Sequence, residues 1–407
     1  MNNYDRLYDL YDEFDAATLF EYQRFVDVFP AVGSRVALEH WRRASDELEA
    51  RKDEIRGAFP AGETFAAIAA HATRDEAFTA LDLHGKYDRA VNVLVLDVDE
   101  TLRSAGQTDN EIPRETLHLM TELHEDGMPV VICTGQTLEN VKGFITQGLG
   151  NELVHSGTLS IVYEAGNGAF TPGHGADTKR LLYEDLDDDV RAVFDEVRSR
   201  VVSDAPEDIR RGCHLQGNEF NVTLKPNYQT GSAPAVDVID HALCHLLDLL
   251  GEAVEDATSG QARAFYADAD PEIRAVLERR GGVPEVDAGD LSPAVVDTFE
   301  RLDVGYYEGD AAELGSLELD KVAGVRAAFE VLGIDDPFAL VMGDSKSDLR
   351  VMEWVEEADA GIAAAPEHAS EVVLEHVLST DELVFDRNDA ASMLRMTYVL
   401  DRLANLS

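Results

Sequence analysis

The spacing of apolar residues changes character twice along the chain. Over residues 1–88 apolar positions recur at helical intervals, with Leu7, Tyr11 and Phe14 in one stretch and Phe25 and Phe29 in the next. Ser34 stands where it can cap a long, charge-rich helix over residues 35–59. Nothing in this helical region has catalytic spacing, and its tyrosines read as packing residues. At Val91 the texture becomes a near-continuous apolar run over residues 91–96, the pattern of a strand buried on both faces of a parallel sheet. A helix is predicted over 114–126, with Leu117, Met120 and Leu123 on one face, and a second buried run follows over 128–133. Strand, helix and strand at this distance make a βαβ unit. A third run, 159–163, stops short of the turn at Asn167-Gly168.

Beyond that turn the pattern mixes amphipathic helices (186–202, 237–250 and 271–280) with short alternating strands such as 220–224, an antiparallel signature. From Leu319 the parallel texture returns, as a helix to about residue 332 and then the apolar run 338–342. The reading is an α/β chain: an N-terminal helical accessory domain (1–88), a Rossmann-like parallel-sheet core in two parts (89–168 and 311–407), and an α+β module inserted between them (169–310).

Charge narrows the classes of partner. Eighty acidic residues against 34 basic ones give a net charge of −46. A surface of that sign repels nucleic-acid phosphates and anionic lipid, so neither is expected as a partner. The acid is dispersed through periodic segments rather than gathered in a tail, and only seven of the basic residues are Lys. That composition resembles cytosolic proteins of salt-in extreme halophiles, whose carboxylates keep the surface hydrated while salt screens their repulsion. No apolar run is long enough to span a bilayer, and the N-terminal residues lack the basic and apolar regions of a signal peptide, so a cytoplasmic location is expected. Cys133, Cys213 and Cys244 are scattered without CxxC spacing and read as free thiols.

Four short motifs carry candidate chemistry. Asp97 and Asp99 alternate with Val98 at the end of the first buried strand, the edge of an open α/β sheet where ligands bind. Two carboxylates so close call for a hard cation such as Mg²⁺ between them, though a solvated acidic turn is the plainer alternative. An EF-hand is excluded, since its sixth position is Leu102 where Gly is needed. Next, Thr134-Gly135 closes the second core strand, where a hydroxyl and a backbone N–H can hold a phosphate oxygen or simply cap a helix. Third, Gly343-Asp344 closes a later apolar strand, with Asp348 four residues on and on the same face if a helix starts there. Fourth, Lys321 opens the helix before that strand, in a chain that otherwise favours Arg.

Taken in this order, Asp-x-Asp-x-Thr, strand-end Thr, Lys and Gly-Asp-x-x-x-Asp, the motifs resemble the haloacid dehalogenase superfamily. The branch resembled is the Cof-like and sugar-phosphate phosphatases, whose large cap is inserted between the Thr and Lys motifs. The likeness covers about residues 91–407. It implies a Mg²⁺-dependent phosphatase in which Asp97 attacks phosphorus and becomes an aspartyl phosphate, and Asp99 serves as acid and then base. Thr134 and Lys321 would hold phosphoryl oxygens. Asp97, the Val98 carbonyl, Asp344 and Asp348 would hold the metal. An acidic neighbourhood is expected to favour a protonated Asp99. Thr101, Gly135, Asn167, Lys225 and Asn227 are the candidate substrate-side residues, the substrate expected being a sugar phosphate or similar small phosphorylated metabolite. The chain departs from the family pattern at Glu100 (often Gly), Gln136 (often Arg) and Ser347 (often Asn). Alternatives are a phosphosugar mutase on the same core, a DxD metal-dependent glycosyltransferase that leaves Lys321 and the Asp344 motif unexplained, and a silent phosphate-ligand-binding protein. A receiver domain is too short and carries no comparable insert.

Overall fold

The structure, a computed structural model, describes residues 3–29, 33–103, 111–216, 218, 220–282, 289 and 291–406. In chain order the strands are β1 (Val93–Leu96), β2 (Val130–Cys133), β3 (Leu159–Tyr163), β4 (Gly168–Phe170), β5 (Arg180–Leu181), β6 (Cys213–Leu215), β7 (Val222–Pro226), β8 (Leu302–Tyr307), β9 (Ala311–Ser316), β10 (Ala339–Met342), β11 (Gly361–Pro366) and β12 (Leu383–Phe385). They form an eight-stranded sheet in the order β12-β11-β10-β1-β2-β3-β4-β5 and a four-stranded sheet in the order β6-β7-β9-β8. From β12 to β3 all pairs are parallel, while β4 and β5 add an antiparallel edge.

The apolar runs explain the sheet directly. In β1 the side chains of Leu94 and Leu96 point to one face and those of Val93 and Val95 to the other, and all four are buried. Both faces must therefore be covered by helices. One face, with Val95, Val131, Val162 and Val341, packs on the helices Lys321–Leu332, Lys346–Glu357 and Glu371–Ser379. The opposite face, with Leu94, Ile132, Ile161 and Leu340, continues without a break into the helices Arg114–Glu125 and Ala390–Ala404 and on to Leu7, Leu48 and Phe65 of the N-terminal helices. The N-terminal helices thus share one hydrophobic core with the sheet rather than owning a separate one.

Polar contacts fasten the same seam. Arg395, only 6% exposed, donates to Glu76 at 2.8 Å and to Glu115 at 2.7 Å, tying the C-terminal helix to two others. The helix predicted after Ser34 runs Arg35–Ala58, and the Ser34 hydroxyl accepts the Ala37 N–H at 3.3 Å.

The inserted module has its own core, built from the helices Asp188–Arg200, Ser232–Ala253 and Ser259–Ala269 over one face of its antiparallel sheet. Sheet membership sets its limits later than the turn at 167–168 and the texture change near 310 suggest. β4 and β5 still belong to the core sheet, and β9 pairs with β7 and β8. Strands of three and two residues, such as β4 and β5, are too short to announce themselves by alternation. Cys133, Cys213 and Cys244 are free thiols. Among the described residues no helix is long and apolar enough to cross a membrane.

A shared core makes a firm expectation. Removing residues 1–88 should strip the cover from the Leu94 and Ile132 face, leaving a chain that unfolds without cooperativity in denaturant. A truncated chain with the midpoint and slope of the full-length protein would show that the helices are a detachable domain.

Candidate active site

β1 and β10 are neighbours in the sheet, but the chain leaves them in opposite directions, β2 and β3 to one side and β11 and β12 to the other. A crevice opens at the carboxyl ends of two such strands, at the point where the winding reverses. Asp97 follows β1 there, its N–H bonded to the Met342 carbonyl at 2.9 Å, and Gly343-Asp344 follow β10. Thr134 closes β2 beside them, bonded through its N–H to the Val162 carbonyl at 2.9 Å.

Lys321 enters this crevice as the first residue of the helix Lys321–Leu332, which is capped by Asp320 accepting the Ala323 N–H at 2.9 Å. Its ammonium, on a side chain 3% exposed, donates to Asp97 Oδ1 at 2.8 Å and to Asp348 Oδ1 at 2.5 Å. The other oxygen of Asp348 accepts the N–H of Ser345 at 3.1 Å and its hydroxyl at 2.6 Å, so this carboxylate also caps the helix Lys346–Glu357. Asp344 precedes that helix, and Thr101 donates to it at 3.5 Å. Close approach depends on glycine at two points. A Cβ on Gly166 (φ +106°) would sit 1.9 Å from the Asp320 carbonyl oxygen, and one on Gly343 would lie 2.3 Å from the Asp348 Cβ.

The remaining expected site residues divide. Asp99 lines the same crevice but turns away from the other carboxylates. Arg103 grips one of its oxygens, at 2.8 Å and 3.0 Å, and the Gln136 side chain donates to the other. A guanidinium and an amide surround it, not the acidic neighbourhood expected. Thr134 is buried and its hydroxyl accepts the Gln136 N–H at 3.1 Å, while Gly135 lines the crevice. The Val98 carbonyl does not fit as a metal ligand, because it already accepts the N–H groups of Leu102 and Arg103, both at 3.1 Å. Asn167 is 2% exposed and bridges β4 to the inserted module, donating to Asn221 at 2.8 Å; it is a hinge contact and does not line the cleft. Asn227 donates to the Arg211 carbonyl at 2.7 Å in a surface turn, also outside the cleft. Lys225 does line it, held by Asp310 at 3.2 Å.

The cleft, about 280 Å³, has a roof that the sequence reading missed. In β8 and β9 alternate side chains enter the module's own core (Leu302, Val304, Tyr306, Ala312, Leu314), so Asp303, Tyr307 and Glu313 face the crevice. The alternation was present in the sequence; which face met the core was not. Floor and roof are joined by ion pairs, Arg350 to Asp303 at 2.8 Å and Lys346 to Glu272 at 2.8 Å and Asp270 at 3.3 Å.

Electrostatics at the floor are unbalanced. Asp97, Asp344 and Asp348 each offer a carboxylate oxygen within 4.8 Å of the others, against the one ammonium of Lys321. Burial pushes the Asp97 carboxyl well above the usual range against the pull of Lys321, and Asp348 and Asp344 add to the rise. Asp344 is pushed up to about 7, by burial first and then by Asp348. Burial opposes the charge on Lys321, but Asp348 and Asp97 more than offset it and hold the group above the usual range. Three hard oxygen donors with uncompensated charge fit a divalent cation of the Mg²⁺ or Ca²⁺ type, which would be held by Asp97 and Asp344 with Asp348 behind them.

The sign of the pH dependence follows. A carboxyl whose folded pKa is raised binds its proton more tightly folded than unfolded, so in a chelator its contribution to stability falls as pH rises from the ordinary carboxylate range through about 7. A divalent cation replaces those protons. Mg²⁺ should therefore raise the urea midpoint more at pH 8 than at pH 6, and Asp344→Asn should remove most of that difference. Equal Mg²⁺ effects at both pH values, or an unchanged difference in the variant, would contradict the assignment.

Residues 94–201 match the family model of haloacid dehalogenase-like hydrolases. No curated protein matches the chain. Solved structures similar to it include trehalose-6-phosphate phosphatase from Aspergillus fumigatus, 15% identical over 78% of this chain and 97% of that one, with a TM-score of 0.42. A haloacid dehalogenase-like hydrolase from Bacteroides thetaiotaomicron is 14% identical over 77% and 99%, with a TM-score of 0.43. One from B. subtilis is 18% identical over 75% and 99%, with a TM-score of 0.42. The residues that match the haloacid dehalogenase-like hydrolase model run from β1 into the inserted module.

Proposed function

We propose that the chain is a Mg²⁺-dependent phosphomonoesterase that works through an aspartyl phosphate on Asp97, with a sugar phosphate or a similar small phosphorylated metabolite as substrate. The observation that carries this reading is the Asp97 carboxylate itself. It is buried at a strand end, one oxygen is anchored by Lys321 at 2.8 Å, and Asp344 and Asp348 stand within sharing distance of a cation. Asp97 also lines the cleft.

Phosphoryl transfer asks for in-line positioning and neutralised oxygens more than for covalent ingenuity. When bound, the divalent cation supplies charge neutralisation at the phosphoryl oxygens. Asp97 forms the new P–O bond as the bond to the leaving oxygen breaks, and Asp99 gives that oxygen a proton. Asp99 then takes the proton of the water that displaces phosphate from Asp97. For this, Asp99 must exchange its grip on Arg103 and Gln136 for the substrate, both being neighbours that can hold the charged form between turns. Lys321 and the Thr134 hydroxyl steady the transferring oxygens. In this reading the eight-stranded sheet and its helices are the catalytic core, the inserted module with β6 to β9 is the roof that excludes water, and residues 1–88 are a helical brace. With a net charge of −46, a small metabolite suits the surface and a nucleic acid does not.

Phosphate release from a panel of sugar phosphates, with Mg²⁺ in molar KCl, is the direct test. Asp97→Asn should lower turnover by about 10³-fold or more, the scale of losing a covalent nucleophile. Turnover that survives the substitution would refute the nucleophile assignment.

A further inference from the structure

Resting on the phosphatase reading above, we propose that the roof selects a monophosphate whose remainder carries an ammonium or uncharged hydroxyl groups, with Glu313 as the selecting residue, and rejects a second anionic group. The cleft is lined by eight acidic and three basic side chains among the described residues. Every one of the three bases is already engaged. Lys321 is shared by Asp97 and Asp348, Lys225 is held by Asp310 at 3.2 Å, and Arg350 by Asp303 at 2.8 Å. A second phosphate or a carboxylate on the substrate would meet a wall whose acids outnumber its bases, and would have to compete with Asp310 for Lys225 or with Asp303 for Arg350.

Glu313 supplies the attractive side of the selection. It lines the cleft from β9, paired with Gly305 on β8 and two residues from Gly315. Its carboxyl accepts the Asn221 side-chain N–H at 2.9 Å, a neutral donor. Loss of water in the cleft, and then the nearby charge of Asp303, push this carboxyl up to about 7, so its charge is held at a cost. A cation brought by the ligand relieves that cost, and a charge-assisted hydrogen bond from an ammonium exceeds one from a hydroxyl. Tyr307, on the same side of the module's sheet, adds a phenol to the cleft lining.

Three probes separate the possibilities: glucosamine 6-phosphate, glucose 6-phosphate and fructose 1,6-bisphosphate. Dissociation constants are read by calorimetry on Asp99→Asn protein with Mg²⁺ in molar KCl, and initial rates on the unmodified protein. The expected order of affinity is amine, then hydroxyl, then bisphosphate, with the bisphosphate at least tenfold weaker than glucose 6-phosphate. Glu313→Gln, which keeps shape and removes charge, should bring the amine-to-hydroxyl ratio close to one; Glu313→Asp should keep the preference. A bisphosphate bound as tightly as the monophosphates, an amine preference untouched by Glu313→Gln, or no binding of any probe would overturn the proposal. Binding in the expected order without phosphate release would uphold the roof's selectivity and overturn the phosphatase reading instead.

Discussion

One buried ammonium organises this molecule. Lys321 sits between Asp97 and Asp348, and none of the three tolerates the loss of the others, because a lone charge at that depth is among the most costly features a fold can carry. The triad joins three separated pieces of chain: the end of β1, the start of the helix Lys321–Leu332 and the first turn of the helix Lys346–Glu357. Its geometry in turn dictates glycine at Gly166 and Gly343, where any side chain would collide with the neighbouring element. What reads as a catalytic motif is also the fastening that closes the carboxyl edge of the sheet.

Around that fastening the charge is uneven by construction. The floor holds more carboxylate than cation, which suits a divalent ion. The roof repeats the arrangement with Asp303, Asp310 and Glu313 against Lys225 and Arg350. Arg350 and Lys346 reach from one floor helix to the roof, so the same ion pairs that neutralise the wall also hold it down. In a protein of net charge −46 such cross-links offset part of the repulsion between two acidic bodies, and salt screens the rest.

Much of the core was legible because strands buried on both faces leave an unmistakable apolar run, and acids at the ends of such runs have few structural reasons to be there. Residues 91–96, 159–163 and 338–342 fall on β1, β3 and β10 to within two residues, and Asp97, Asp344, Asp348 and Lys321 are brought together. Side-chain direction was not legible. Asp99 follows Asp97 by two residues yet faces Arg103, since the loop turns between them and Glu100 adopts a left-handed conformation (φ +58°). The Val98 carbonyl is spent within the same turn. Asn167 looked like a residue open to substrate because it marks a turn, but turns at a hinge are buried by what they join. Glu313 and Asp303 gave no motif at all; an alternating strand announces two faces without saying which one meets the site. The helices of residues 1–88 looked separable for a similar reason, because amphipathic spacing shows that a face is covered and not by what.

The central claim is that Asp97 becomes covalently phosphorylated. Its most direct test is rapid acid quenching during turnover of a phosphate ester, followed by mass spectrometry of the peptide that contains Asp97. The account predicts a phosphorylated Asp97 that forms at least as fast as phosphate is released, decays once the ester is consumed, and is absent from Asp97→Asn protein. Phosphate release with no phosphorylated enzyme at any time, or phosphorylation at another residue, would contradict it.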